Sequence, residues 1–168
     1  NYETLISNSE RRAILLDETC AVPRISDLRH IFTSSRGKIE FDPTIEENQD
    51  DEVIRKISRE AVKNVFNQYL NVDEYQEEIK ILNNKTFFVS DEMSSDVYVK
   101  IMSEDKELSK MVDALQKEMN DKTMEKEIMP PMSASLIEFL LEGLHANRKL
   151  NKEICADKAV YTRKRIEI

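Results

Sequence analysis

The chain reads as an all-α protein, an elongated multi-helix bundle or helical hairpin assembly with one short extended segment. Three observations lead there. Its 168 residues hold only two glycines, Gly37 and Gly143, and four prolines, Pro23, Pro43, Pro130 and Pro131. Glycine makes up about 7% of ordinary proteins, and a many-stranded sandwich or barrel needs far more turns than two glycines can make. Apolar residues recur at three- and four-residue steps along most of the sequence. Hydrophobic residues make up 40% and charged residues 35%, enough for a modest core with charge left for the outer faces of helices.

Taken in order, the first helix is expected at about residues 9–19, with Ser7 and Glu10 at capping-box spacing and Ala13, Ile14, Leu15 and Leu16 as its apolar patch. Val22-Pro23 ends it, because the residue before proline avoids helical angles. A short helix follows, capped by Ser26, with Leu28, Ile31 and Phe32 on one face and Gly37 as its stop. Lys38, Ile39 and Phe41 suit the short extended segment, broken by Pro43 and followed by acids. Val53, Ile54, Ile57, Ala61, Val62, Val65, Phe66 and Tyr69 then define a long helix. After an interruption at Asn71, Tyr75, Ile79 and Leu82 resume a helical pattern. Residues 83–95 read as a loop with Phe87, Phe88 and Val89 tucked inward, and residues 96–102 fit strand and helix equally.

The clearest helix starts after Ser103, with Glu104 and Asp105 in its first turn, where negative charge complements exposed amides. Leu108, Met111, Val112, Leu115 and Met119 form its narrow stripe. Pro130-Pro131 stops the chain. Ser135 and Glu138, at capping-box spacing, open a final helix that Leu136, Ile137, Phe139, Leu140, Leu141 and Leu144 make apolar nearly all round. Beyond Gly143 the apolar positions thin to Leu150, Ile154 and Val160, as in a helix leaving the core. The expected organisation is an N-terminal part over residues 1–45, an acidic linker over 46–52 and a main helical region over 53–168, which together can form one domain. A start at asparagine rather than methionine suggests an excised or processed segment.

Composition also narrows function. Two glycines exclude a P-loop and a Rossmann fingerprint, which need several for close backbone approach to phosphate. A net charge of -8 works against nucleic-acid binding, except through the basic tail from Arg163 to Arg165. No apolar run reaches the roughly 18 residues of a membrane span. Cys20 and Cys155 suggest neither a disulfide framework nor a zinc site. Asn84-Lys85-Thr86 is a formal glycosylation sequon without a visible signal peptide. An intracellular protein, cytoplasmic or nuclear, is expected.

No constellation of side chains reads as catalytic, metal-binding or cofactor-binding. His30 and His145 lack a nucleophile at a motif's spacing, and a di-metal bundle would require Glu-x-x-His on two helices, whereas only His145 has a glutamate, Glu142, three residues before it. The acids around Asp91, Glu92 and Asp96 lack the glycine of a calcium loop. Lys38, Ile39 and Phe41 resemble the short docking motif by which regulators hold protein phosphatase 1, an extended segment that adds to a sheet edge. All seven methionines (Met93, Met102, Met111, Met119, Met124, Met129 and Met132) fall within 40 residues, and methionine suits surfaces that adapt to a partner.

The expectation is therefore a non-enzymatic interaction module, a subunit or adaptor burying helix faces against another, helical chain, with no small-molecule substrate and no cofactor. Leu108, Met111, Leu115, Met119, Met129, Met132, Phe139, Leu140 and Leu144 are the expected packing or partner surface. A regulatory module docking an enzyme such as a phosphatase through Lys38, Ile39 and Phe41 is the alternative, beside a helical enzyme or ligand-binding domain with no visible signature.

Overall fold

The computed structural model describes residues 1–35, 49–119, 129–155 and 158–163. They are predominantly helical. Helix α1 (Tyr2–Leu15), a 3-10 turn (Ile25–Leu28) and α2 (Arg29–Ser35) form the N-terminal part. Then come α3 (Gln49–Tyr69), a second 3-10 turn (Val72–Tyr75), α4 (Gln76–Leu82), strand β1 (Phe87–Ser90), α5 (Ser95–Glu104) and α6 (Lys106–Glu118). Helix α7 (Met129–Ala146) precedes strands β2 (Leu150–Cys155) and β3 (Lys158–Arg163). The strands make one small antiparallel sheet in the order β1-β3-β2.

Helix α7 is the centre. It packs against α3, α5, α6 and β2, which is why its apolar residues wrap nearly all round it. Leu136, Ile137, Leu140, Leu141 and Leu144 are all buried, and Leu108, Met111, Val112 and Leu115 of α6 complete the core with Phe66, Leu82 and Tyr98. Asp105 separates α5 from α6: its backbone is extended, and its side chain accepts from the Leu108 N–H at 3.1 Å as an N-cap. Asn71 likewise accepts from the Asp73 N–H at 3.2 Å, so the break expected there is a cap between α3 and the next turn.

Several expectations give way to tertiary structure. Residues 87–90, read as loop, are β1, and the tail read as a helix leaving the core is the β2–β3 hairpin. Phe87 pairs with Tyr161 and Val89 with Ala159, so alternate residues of a very short strand face the core while Phe88 stays 55% exposed. Residues 96–102 lie in α5. Helix α1 begins seven residues before the expected start, because its buried face is polar: Asn8, Ser9 and Arg12 are buried beside Ala13. Pro130-Pro131 does not stop the chain but occupies the first turn of α7, where a missing N–H costs nothing. Ser135 and Glu138 are therefore interior to α7 and cap nothing. Ser26 is likewise not a cap: it lies within the first 3-10 turn, where the Arg24 N–H donates to the Asp27 carboxylate at 2.8 Å. Residues 49–52 of the expected acidic linker open α3; Lys38, Ile39, Phe41 and residues 46–48 lie outside the described residues.

Gly143 allows the Phe66 ring to lie directly against α7. A Cβ there would stand 2.2 Å from the Phe66 Cδ2, in a ring that is fully buried and packed edge-on to Phe139 at 5.6 Å. Helix propensity alone would make Gly143→Ala a gain of about 1 kcal/mol. Displacing an enclosed ring costs about 3 kcal/mol. The variant should thus be about 2 kcal/mol less stable in urea unfolding, and a variant as stable as the parent would show that Phe66 has room to move.

Candidate functional site

The N-terminal part is held by a buried cluster of charges. Arg12 of α1, 1% exposed, uses its whole guanidinium: Nη1 donates to Glu18 at 3.2 Å, and Nη2 donates to the Val22 carbonyl at 2.7 Å and to Asp27 at 3.1 Å. Asp27 also accepts from Asn8 at 2.7 Å. Arg24 reaches into the body of the protein, donating to the Met93 carbonyl at 2.7 Å, to Ser95 Oγ at 2.8 Å and to Glu18 at 2.7 Å. Its guanidinium also lies 5.0 Å from the centre of the Tyr98 ring, a cation–π contact. Glu18 closes the cluster by accepting from the Ser95 N–H at 2.8 Å and its hydroxyl at 2.6 Å.

Two buried glutamates sit one turn apart on α7, in opposite electrostatic settings. Glu142 accepts from Lys152 at 2.7 Å and from the Tyr161 hydroxyl at 2.6 Å. Burial works to raise its carboxyl, but the Lys152 charge and these hydrogen bonds hold it below the usual glutamate range. Glu138 is fully buried and accepts from the Ser26 N–H at 2.8 Å, the Ser26 hydroxyl at 3.3 Å and the Tyr98 hydroxyl at 2.7 Å. Its burial outweighs those donors and pushes the carboxyl up. Tyr98 is raised as well, first by burial and then by Glu138.

The histidines are occupied otherwise. His145 lies 3.1 Å from the Leu150 carbonyl through Nδ1; burial lowers its pKa against that hydrogen bond. His30 accepts from Arg29 Nε at 3.2 Å and is lowered by burial and by the Arg29 charge. Cys20 is a free thiol. Among the described residues no three His, Cys, Asp or Glu side chains gather as metal ligands, and no helix is long and apolar enough to cross a membrane. An open cleft of about 340 Å³ is lined by Met102, Ser103, Lys106, Ser109, Lys110 and Asp113.

Of the residues expected to face a partner, Leu108, Met111, Leu115, Leu140 and Leu144 are packed inside this chain at 0% exposure. Met119, Met132 and Phe139 are partly buried against the same core, and Met129 is 42% exposed at the start of α7. Arg163 is exposed at the end of β3, while Lys164 and Arg165 lie outside the described residues. The apolar surface left over is elsewhere, at Ile14 and Leu15 at the end of α1, at Phe88 and Ile154 on the sheet, and along α3. On α3, which packs on α7 and α2, Ile57 is 62% and Val65 44% exposed, with exposed Ala61 between them. These three stand four residues apart and line one side of the helix. Periodicity had placed them with the core residues Ile54 and Phe66, because the apolar arc of α3 is wider than its neighbours cover.

The buried polar residues were missed too. Glu138 and Glu142 did carry a signal: each is a carboxylate inside an otherwise apolar run, which a fully buried helix can hold only beside donors or a cation. Arg12, Arg24 and Asp27 had none, since charged residues in a 35% charged chain are ordinarily solvated. No family model matches the sequence, and no curated protein or solved structure is similar to it.

Proposed function

We propose that this protein is a non-enzymatic interaction module, a subunit or adaptor that binds a helix of another chain along α3. The observation that carries the reading is the stripe Ile57, Ala61 and Val65, exposed on a helix whose other side is seated on α7. A partner helix with apolar residues three and four apart matches its spacing, and the small Ala61 between two larger residues lets such a helix approach closely. Covering the exposed parts of Ile57 and Val65 is worth about 1–2 kcal/mol each. An intracellular setting suits the free Cys20 thiol.

Ile57→Lys together with Val65→Lys tests this. Both positions face solvent, so the melting temperature should stay at the parent value. Affinity purification of the parent from its source cells, followed by crosslinking from Lys56 and Lys63 on α3, should return a stoichiometric partner that the double variant loses. Equal recovery of that partner by both proteins would overturn the reading.

A further inference from the structure

The continuous apolar core contains no described residue from positions 1–35. That part of the chain is held to the body largely by hydrogen bonds and charge: Pro23 through Ser135, Arg24 through Met93 and Ser95, Glu18 through Ser95, Arg29 through Asp91, and Ser26 through Glu138. Within this set the two arginines Arg12 and Arg24 are matched by two carboxylates in direct contact, Glu18 and Asp27. The buried charge is thereby balanced before Glu138 is counted, and the three groups touching Glu138 are neutral.

The surroundings of Glu138 satisfy both of its protonation states. Ionised, it accepts from Ser26 and Tyr98 as described. Neutral, it can donate from Oε1 to the Tyr98 oxygen, because the Tyr98 hydroxyl has a second acceptor in the Ser90 carbonyl at 3.4 Å. The groups that act on it are Ser26 and Arg24 of the first 3-10 turn and its cap and Tyr98 of α5, with the Ser90 carbonyl of β1 behind Tyr98 and Tyr161 of β3 within reach of its charge. Arg24 acts on it as a cation, from a distance and already paired with Glu18.

We propose that Glu138 is a proton-operated latch: neutral, it seats the turn Ile25–Leu28 on α7, and ionised, it loosens residues 1–35 from the body. The direction follows from linkage. A carboxyl raised in the folded state stabilises docking most below the ordinary glutamate value of 4.5. That stabilisation is lost as pH rises through the folded-state value. Glu142, with Lys152 against it, works in the opposite direction and cannot mimic the effect.

Amide hydrogen exchange, corrected for the intrinsic rate, tests this on the full chain from about pH 4 to about pH 9, with Glu138→Gln as a permanently neutral isostere. Protection of the Ser26 amide should fall in the parent by about tenfold for each unit by which Glu138 is raised, while the Leu115 amide holds. In Glu138→Gln the Ser26 amide should keep its protection throughout. Parallel profiles in the two proteins overturn the latch. Should the variant not fold, the carboxyl carbon resonance of Glu138 in the parent decides: a midpoint above the ordinary value supports the latch, and an ionised carboxyl throughout overturns it.

Discussion

Leu115→Asp should leave no cooperatively folded protein at neutral pH. Leu115 is fully buried on α6, within a stripe that packs on α4, α5 and α7. Removing the leucine from such a site costs about 2–5 kcal/mol. The aspartate that replaces it is placed in the buried apolar cluster rather than beside donors of the kind that serve Glu138 and Glu142. An unpaired buried carboxylate adds several kcal/mol. Together these reach the roughly 5–15 kcal/mol that holds a domain of this size together. Circular dichroism melts read the result directly, and a cooperative transition at the parent temperature would show that the α6 stripe is not core. Mild acid should recover part of the structure, since a neutral aspartic acid costs less to bury.

Arg12→Met should destabilise the N-terminal part by about 3–5 kcal/mol, as when one member of a buried ion pair is removed. The methionine is close in length, so packing is nearly kept while Glu18, Asp27 and the Val22 carbonyl each lose the donor that Arg12 supplies. Arg12→Lys should recover only part of this, because a single ammonium cannot serve three acceptors spread around a planar fork. Urea unfolding followed separately by amides in α1 and in α6 measures the effect. The α1 amides should lose most, because residues 1–35 lie outside the continuous apolar core. An equal loss in α6 would mean that the two parts unfold as one unit and that the charge cluster belongs to the core.

The helices that local pattern describes best are those whose neighbours cover the same arc that periodicity marks. Helix α6 is the plainest case: Leu108, Met111, Val112 and Leu115 were legible as a stripe and are its buried residues. Helix α7 was legible as a segment apolar all round, which is the signature of an element with neighbours on every side. Helix α3 was legible as a helix but not as a surface. Ile57 and Val65 belong to the same apolar arc as Phe66, and nothing in their spacing tells which of them another helix will meet. The sheet was illegible for a different reason. Phe87 to Ser90 make a four-residue strand whose partner lies about seventy positions further along the chain, so neither half shows the alternation that would announce it.

From the sequence alone came the helical class, the approximate spans of α3 and α6, the apolar run within α7 though not its start, and the absence of glycine-dependent phosphate loops. All of these rest on spacing over one or two turns or on composition, and such local quantities survive whatever the rest of the chain does. Only the tertiary structure decided the β1-β3-β2 pairing, the burial of Arg12, Arg24, Asp27 and Glu138, and the spare face of α3. Those depend on which groups meet across long separations. A charge is stable inside only when its partner arrives there too, and an apolar face is spare only when nothing has arrived to cover it.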